Sequence, residues 1–262
     1  QKVTDSLRYS VKRFDPRFRL YTLEIAGAGA SGEILAFERP GPQAQPSAKE
    51  LRSVVDSGEF SDRRALIVGG SRGLGEVAVK LLAIGGADVV FTFRTGETDA
   101  QAVVRNFKEC AVRVKAVQFD VLSPAATLTS ALGDWRPTHM LYFATPGIFR
   151  TRYELFSKQY FDDFVAIYVT AFANLFSTLV TDKTLSQVLY PSTVAVENTP
   201  RELVEYAAAK SAAESLCRYL DNQYTDIEFR VPRLPRLPTD QTVNLYGVSA
   251  DDPVPLLLEL IR

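Results

Sequence analysis

The sequence predicts an α/β protein built on a doubly wound parallel sheet, with a small N-terminal β extension ahead of it. Three observations carry that expectation. From Arg64 onward, short apolar runs alternate strictly with segments of helical periodicity. The first apolar run ends in a glycine cluster that opens a helix. Each run is followed by a helical segment or the chain's final segment, the order that gives a parallel sheet covered on both faces.

The elements follow in order. Residues 1–60 stand apart, as an N-terminal β-hairpin arm and linker helix. "FRLYTLEIAGAGASGEILAFERP" (Phe18–Pro40) holds two β-rich runs around a "GAGASG" turn, which predicts a hairpin. "GPQAQPS" is a linker, and Ser47 with Glu50 forms a capping box that starts a short helix toward Phe60. The main domain spans 61–262. Its strands are read in "RALIVGG", "ADVVFTFR", "RVKAVQFDV", "THMLYFATPG", "LSQVLYPST" and "DIEFRVPRL". Helices follow each, among them a long one ending near Asp182 with room for a break, a second long one after Pro200, and a terminal one from Asp252. Six strands joined by right-handed crossovers make the sheet doubly wound.

Composition narrows the function classes. Of 262 residues 46% are hydrophobic, enough for a large core, and 30 Lys plus Arg balance 31 Asp plus Glu. That balance argues against nucleic-acid or anionic-membrane partners. No run of about 18 apolar residues is seen, so no membrane span is expected. Cys110 and Cys217 lack a CxxC pattern and read as reduced core thiols of a cytoplasmic protein. His139 is the sole histidine. A metal site and a histidine-based triad are therefore not expected, and His139 itself reads as structural. The chain opens without Met or a signal-peptide pattern, as a fragment or processed product would.

Chemistry concentrates at two places. "LIVGGSRGLGEVAVKLL" places Gly69, Gly70, Gly73 and Gly75 between strand and helix. Glycine there permits positive φ and close approach of a pyrophosphate, which backbone N–H groups and the helix dipole stabilise. The second strand ends in Arg94, where NAD-binding folds carry an acid; with Arg72 in the loop, this points to the 2′-phosphate of NADP(H) rather than NAD(H). Asp120 closes the third strand, either to meet an adenine edge or to start the next helix. Farther on, Tyr206 and Lys210 lie four apart on one helix face, so the ammonium is expected to lower the phenol's pKa. Ser192 and Thr193 lie at the C-terminal end of the fifth strand, where a hydroxyl can bond a reacting carbonyl.

With these residues in place, Arg64 to Leu237 resembles the short-chain dehydrogenase/reductase family. The glycine signature stands as "VGGSRGLG", with Val68 for the usual Thr, and YxxxK stands as Tyr206–Lys210. The resemblance implies a Rossmann-type fold and an NADP(H)-dependent ketoreductase-like oxidoreductase. Tyr206 would be acid–base, Lys210 would bind the ribose, and Ser192 or Thr193 would orient the carbonyl. Thr193 has the usual thirteen-residue spacing; Ser192 is preferred from its "PSTVA" context. Cofactor contacts are implied at Gly69, Ser71, Arg72, Gly73, Leu74, Gly75, Arg94, Asp120, Val121, Ala144 and Lys210. The resemblance also implies a small-molecule or acyl-thioester carbonyl substrate and a homo-oligomer.

The departures are "ATPG" (Ala144–Gly147) for the family's NNAG, Tyr168 at the relay asparagine, and "VPRLPRLPTDQT" for the Pro-Gly segment. They keep open a catalytically silent NADP(H)-binding sensor or scaffold. A faint likeness of Phe18–Pro40 to the last strands of a hot-dog acyl-thioester domain keeps open a reductase partnered with an acyl-processing domain.

Overall fold

The computed structural model describes residues 6–38, 41, 43–108, 112–149, 155–240 and 251–262. They fall into two compact units that divide between Gln43 and Ala44. In the first unit, β1 (Arg8–Asp15), β2 (Leu20–Gly27) and β3 (Ala30–Phe37) form an antiparallel sheet in that order. The expected hairpin is β2–β3. Its two turn residues, Ala28 and Gly29, both have left-handed φ (49° and 77°), the twist that a tight hairpin demands. Strand β1 was not anticipated. Its Tyr9 and Val11 face Ile25 and Leu23, and a bulge then brings Phe14 against Tyr21, with ring centroids 4.4 Å apart.

The capping box is present: the Ser47 N–H donates to Glu50 Oε2 at 2.7 Å, and the Glu50 N–H donates to Ser47 Oγ. The helix it starts, α1 (Ala48–Leu51), is a single turn rather than a run to Phe60. Its Ala48 and Leu51, with Val55 and Phe60, are buried in the core of the second unit.

That unit carries β4 (Arg64–Val68), α2 (Gly73–Ile84), β5 (Asp88–Phe93), α3 (Glu97–Arg105), β6 (Val114–Gln118), α4 (Ala125–Leu132) and β7 (His139–Tyr142). It continues through α5 (Lys158–Val165), a π-helical turn (Ala166–Ala171), α6 (Phe172–Leu179), β8 (Gln187–Leu189), β9 (Ser192–Thr193), α7 (Val204–Gln223), β10 (Glu228–Arg230), β11 (Arg233–Leu234) and α8 (Pro253–Ile261). Six strands pair in the order β6-β5-β4-β7-β8-β10, all parallel. Chain progression runs outward from β4 in one direction and from β7 in the other. The C-terminal ends of these two strands therefore flank a crevice at the topological switch point. The short parallel pair β9–β11 sits one loop beyond β8 and β10, with Ser192 opposite Arg233.

Alternation along each strand supplies two cores. In β4, Ala65 and Ile67 point into the layer with α1, α2, α3 and α8, and Leu66 and Val68 into the layer with α4 to α7. The long helix does have its break: the π turn separates α5 from α6. No unbroken run of 18 apolar residues is present, but Lys158–Asp182, with a mean hydropathy of 1.7, is long and apolar enough to cross a membrane by length and composition. Its apolar side is the explanation, because Phe164, Tyr168, Phe172, Leu175 and Phe176 are core residues. Cys217 is a buried free thiol whose pKa burial pushes up to about 12; Cys110 lies outside the described residues. His139 opens β7, its Nδ1 2.8 Å from Thr138 Oγ1, and burial lowers its pKa to about 4, so the imidazole is neutral. Among the described residues no His/Cys/Asp/Glu cluster could hold a metal.

Candidate active site

The turn after β4 is shaped by glycines, two of which leave no room for a Cβ. Gly69 has φ 87°, and a Cβ there would lie 2.9 Å from the backbone nitrogen of Ala144, just past the end of β7. A Cβ on Gly75 would lie 2.1 Å from the Gly69 carbonyl oxygen. The loop is thus folded tightly between α2 and β7, with Ala144 along its other side. Helix α2 starts at Gly73, itself at φ 58°, and no side chain caps its first turn. Leu74 packs against the core, away from the turn's exposed Arg72. A tight glycine turn beside an uncapped twelve-residue helix fits the pyrophosphate of a dinucleotide.

The basic residues flank that turn. Arg94 is exposed at the end of β5. A Cβ on Gly96 would lie 3.3 Å from Ser71 Oγ and 3.9 Å from Arg72 Nε, so the loop after Arg94 passes beside Ser71 and Arg72. The Arg72 guanidinium lies between two carboxylates, Asp99 at 3.4 Å and Asp240 at 3.6 Å. Both are long, exposed pairs of small strength. Asp120 Oδ1 accepts from the Leu122 N–H at 3.0 Å and so closes a turn after β6; Val121 beside it packs toward the core. The turn is a structural role that Asp120 fills whether or not it also meets an adenine.

At the chemical end, Thr193 rather than Ser192 faces the phenol. The Thr193 side chain lies near enough to the Tyr206 phenol to favour its ionised form. Ser192 Oγ instead donates to Glu214 Oε1 at 2.5 Å and is 4% exposed. The sequence preference for Ser192 does not match this geometry. Ser192 is taken by Glu214, about two turns of α7 beyond Tyr206, and Thr193 is the hydroxyl left beside the phenol.

The expected lowering of the Tyr206 pKa by Lys210 is also not what the structure gives. Burial raises the phenol's pKa and Thr193 pulls it down more weakly. Tyr206 sits edge-on against Phe164 and Tyr168, with centroids 5.9 and 5.7 Å away, and this apolar wall disfavours phenolate. Lys210 Nζ is drawn the other way. It donates to the Pro191 carbonyl at 2.7 Å, and burial lowers its pKa to about 7.

Sequence reasoning missed several contributors. Glu205, next to Tyr206, is 3% exposed and accepts from the Ser157 N–H at 2.6 Å, tying the start of α5 to α7. Arg233 grips Glu214 and Glu197 at 2.6 and 2.9 Å, fixing β9 and β11 against α7. Tyr142 and Tyr190, at the ends of neighbouring strands, donate to the carbonyls of Ile167 (2.8 Å) and Tyr168 (2.9 Å) in the π turn. The turn's looser bonding leaves those carbonyls in need of donors. Two tyrosines at matching strand ends were the available signal.

Comparison with known proteins agrees with this geometry. Residues 63–234 match the short chain dehydrogenase family. The chain is 27% identical over 258 residues to the uncharacterized oxidoreductase YghA of Escherichia coli K12, covering 92% of this chain and 83% of that one. Among solved structures, a short chain dehydrogenase of Shigella flexneri 2a complexed with NADP superposes with a TM-score of 0.69 at 20% identity, over 79% of this chain and 93% of that one. One from Escherichia coli CFT073 complexed with NADPH gives 0.69 at 18%, over 79% and 92%. The family match extends from just before β4 to the end of β11 and so takes in the glycine turn, Thr193, Tyr206 and Lys210; the chain belongs to the short-chain dehydrogenase family of oxidoreductases.

Proposed function

We propose that the protein is an NADP(H)-dependent oxidoreductase that interconverts a carbonyl and an alcohol, with Tyr206 as the acid–base. The observation that carries this reading is the glycine crevice at the β4/β7 switch point together with Tyr206 and Lys210 on one helix, Thr193 acting on the phenol. NADP(H), when bound, supplies or accepts the hydride. Gly69, Ser71, Gly73, Leu74 and Gly75 would hold its pyrophosphate through the backbone, with Ala144 and Val121 along the dinucleotide and Asp120 near the adenine. Arg72 and Arg94 would face the 2′-phosphate, and Lys210 the ribose hydroxyls. Thr193 orients the substrate oxygen, and Tyr206 passes it the proton. A phenol held neutral by burial is matched to donation, the step that reduction needs.

The test is oxidation of NADPH by a panel of small ketones and β-ketoacyl thioesters. Thr193→Ala is expected to lower kcat by about 10²–10³-fold, the range of one lost catalytic hydrogen bond. Ser192→Ala is expected to leave kcat within about threefold and to lower stability by about 1 kcal/mol. Equal losses of kcat in both variants would contradict the assignment of Thr193.

Cofactor preference rests on Arg72 and Arg94. Arg72→Ser is expected to weaken NADPH binding by about tenfold, roughly the loss of one charge-assisted bond at an exposed site, and to leave NADH binding unchanged. Fluorescence titration with both cofactors reads this. An equal loss for NADH would place Arg72 away from the 2′-phosphate.

A second reading is a binder of NADP(H) without turnover. It is favoured by the engagement of Lys210 with Pro191 rather than with Tyr206. Binding of NADPH with no oxidation across the panel is its signature.

A further inference from the structure

Lys210 is a buried ammonium, 7% exposed, and its surroundings are unusual. The residue that would ordinarily pair with it is Glu214, one helical turn along on the same face. Glu214 is already taken: Ser192 Oγ lies at 2.5 Å from one oxygen, and Arg233 bonds both oxygens at 2.9 and 2.6 Å. Among the described residues no carboxylate makes an ion pair with Lys210. Its Nζ instead lies over two aromatic faces, 4.2 Å from the centroid of Tyr168 and 4.7 Å from that of Tyr190, with the Pro191 carbonyl as third neighbour.

These two rings are held in place from behind. The Tyr190 hydroxyl donates to the Tyr168 carbonyl, Tyr190 stacks on Tyr142 at 5.7 Å, and Tyr142 donates to Ile167. The Tyr168 hydroxyl points away from the ammonium and meets Thr145 Oγ1 at 2.6 Å. Tyr168 thus presents a ring face, not a hydroxyl, to Lys210.

We propose that Tyr168 and Tyr190 are positioning residues that hold the Lys210 ammonium beneath the site by cation–π contact. The proposal rests on the reading that Lys210 acts beside Tyr206, and it explains how the charge is kept there without a carboxylate or an asparagine relay. Desolvated cation–π contacts are among the stronger ones, and two faces act together here. Burial alone would drive the ammonium to lose its proton, and its lowered pKa, about 7, reflects that pressure. The rings oppose it. Other groups facing Lys210 are Glu214 on α7, which favours the charged form, and Cys217, a neutral thiol whose raised pKa keeps it uncharged through the Lys210 titration, with Tyr206 on the same helix, Tyr142 behind Tyr190, and Arg233 screening Glu214.

The experiment varies the ring face without changing its shape. Position 168 is made phenylalanine, then mono-, di- and trifluorophenylalanine, and Lys210 is titrated in the protein without cofactor through its 13Cε NMR shift, assigned by loss in Lys210→Gln. Tyr168→Phe is expected to leave the midpoint nearly unchanged, since the face survives. Each added fluorine withdraws density from the ring and destabilises the ammonium, so the midpoint moves stepwise to lower pH. The acid dissociation constant should change by about tenfold across the series. The alkaline limb of kcat/KM for NADPH should move in the same direction. No dependence on fluorine number would overturn the proposal. So would a shift in Tyr168→Phe as large as in the trifluoro variant, because the hydroxyl on Thr145 would then be the working group. The NMR titration is read without turnover, so a protein that reduces no ketone would sink the oxidoreductase reading and leave this test standing.

Discussion

Replacing Tyr206 with phenylalanine is expected to abolish NADPH-dependent ketone reduction, with kcat falling by about 10²–10⁴-fold, the span of a lost general acid. NADPH affinity should stay within about threefold, because the phenol lies at the reacting end and not in the glycine turn. The ring remains edge-on to Phe164 and Tyr168, so packing is kept and the fold should be unharmed. Only a hydroxyl is removed. Thr193, which acts on that hydroxyl, keeps its bond from the Ala195 N–H at 3.2 Å. Steady-state kinetics beside a fluorescence binding curve separates the two effects. Unaltered kcat in this variant would take Tyr206 out of the chemistry.

Gly75→Ala is the other large effect, and it acts through the backbone. The added methyl would stand 2.1 Å from the Gly69 carbonyl oxygen and 3.0 Å from its carbon. Neither atom can yield, since both belong to the turn whose residue 69 is already held at φ 87° against Ala144. Helix α2 must therefore shift away from the turn, separating its N–H groups from the position of the pyrophosphate. We expect a stability loss of about 1–3 kcal/mol, typical of forced overpacking, and NADPH binding weakened by at least about 100-fold. Thermal unfolding and fluorescence titration measure the pair. Gly32→Ala, where a Cβ meets nothing within 4 Å, is the control and should change neither. A Gly75→Ala protein that bound NADPH normally would show that the glycine turn is not the phosphate cradle.

The parts legible in the sequence were those governed by local rules. Six apolar runs with intervening helices gave the parallel sheet, since strands of β4's kind, buried on both faces, leave no alternation to misread. The glycine turn was legible because its spacing is local, with Gly75 packed on the Gly69 carbonyl six residues before it, although the wall against Gly69 itself is the distant Ala144. The Ser47 capping box was legible for the same reason, although nothing local said that α1 would stop after one turn. What escaped depended on distant neighbours. Ser192 and Thr193 are adjacent on a two-residue strand, and Glu214 takes the first and leaves the second beside Tyr206. Strand β1 was missed because its charged residues alternate with Tyr9 and Val11 too briefly to stand out. The effect of Lys210 on Tyr206 was read from helix spacing alone. Spacing puts two residues on one face, but Tyr168 and Tyr190, brought in from other elements, decide where the ammonium points.

The most direct measurement is transfer of deuterium from NADPH labelled at nicotinamide C4 into a ketone of the panel, followed in the wild-type protein and in Tyr206→Phe. The account predicts label on the carbinol carbon of the wild-type product, from one face of the ring only, and none above background in the variant. NADPH that binds tightly while its deuterium reaches no ketone, or equal transfer with and without the phenol, would contradict it.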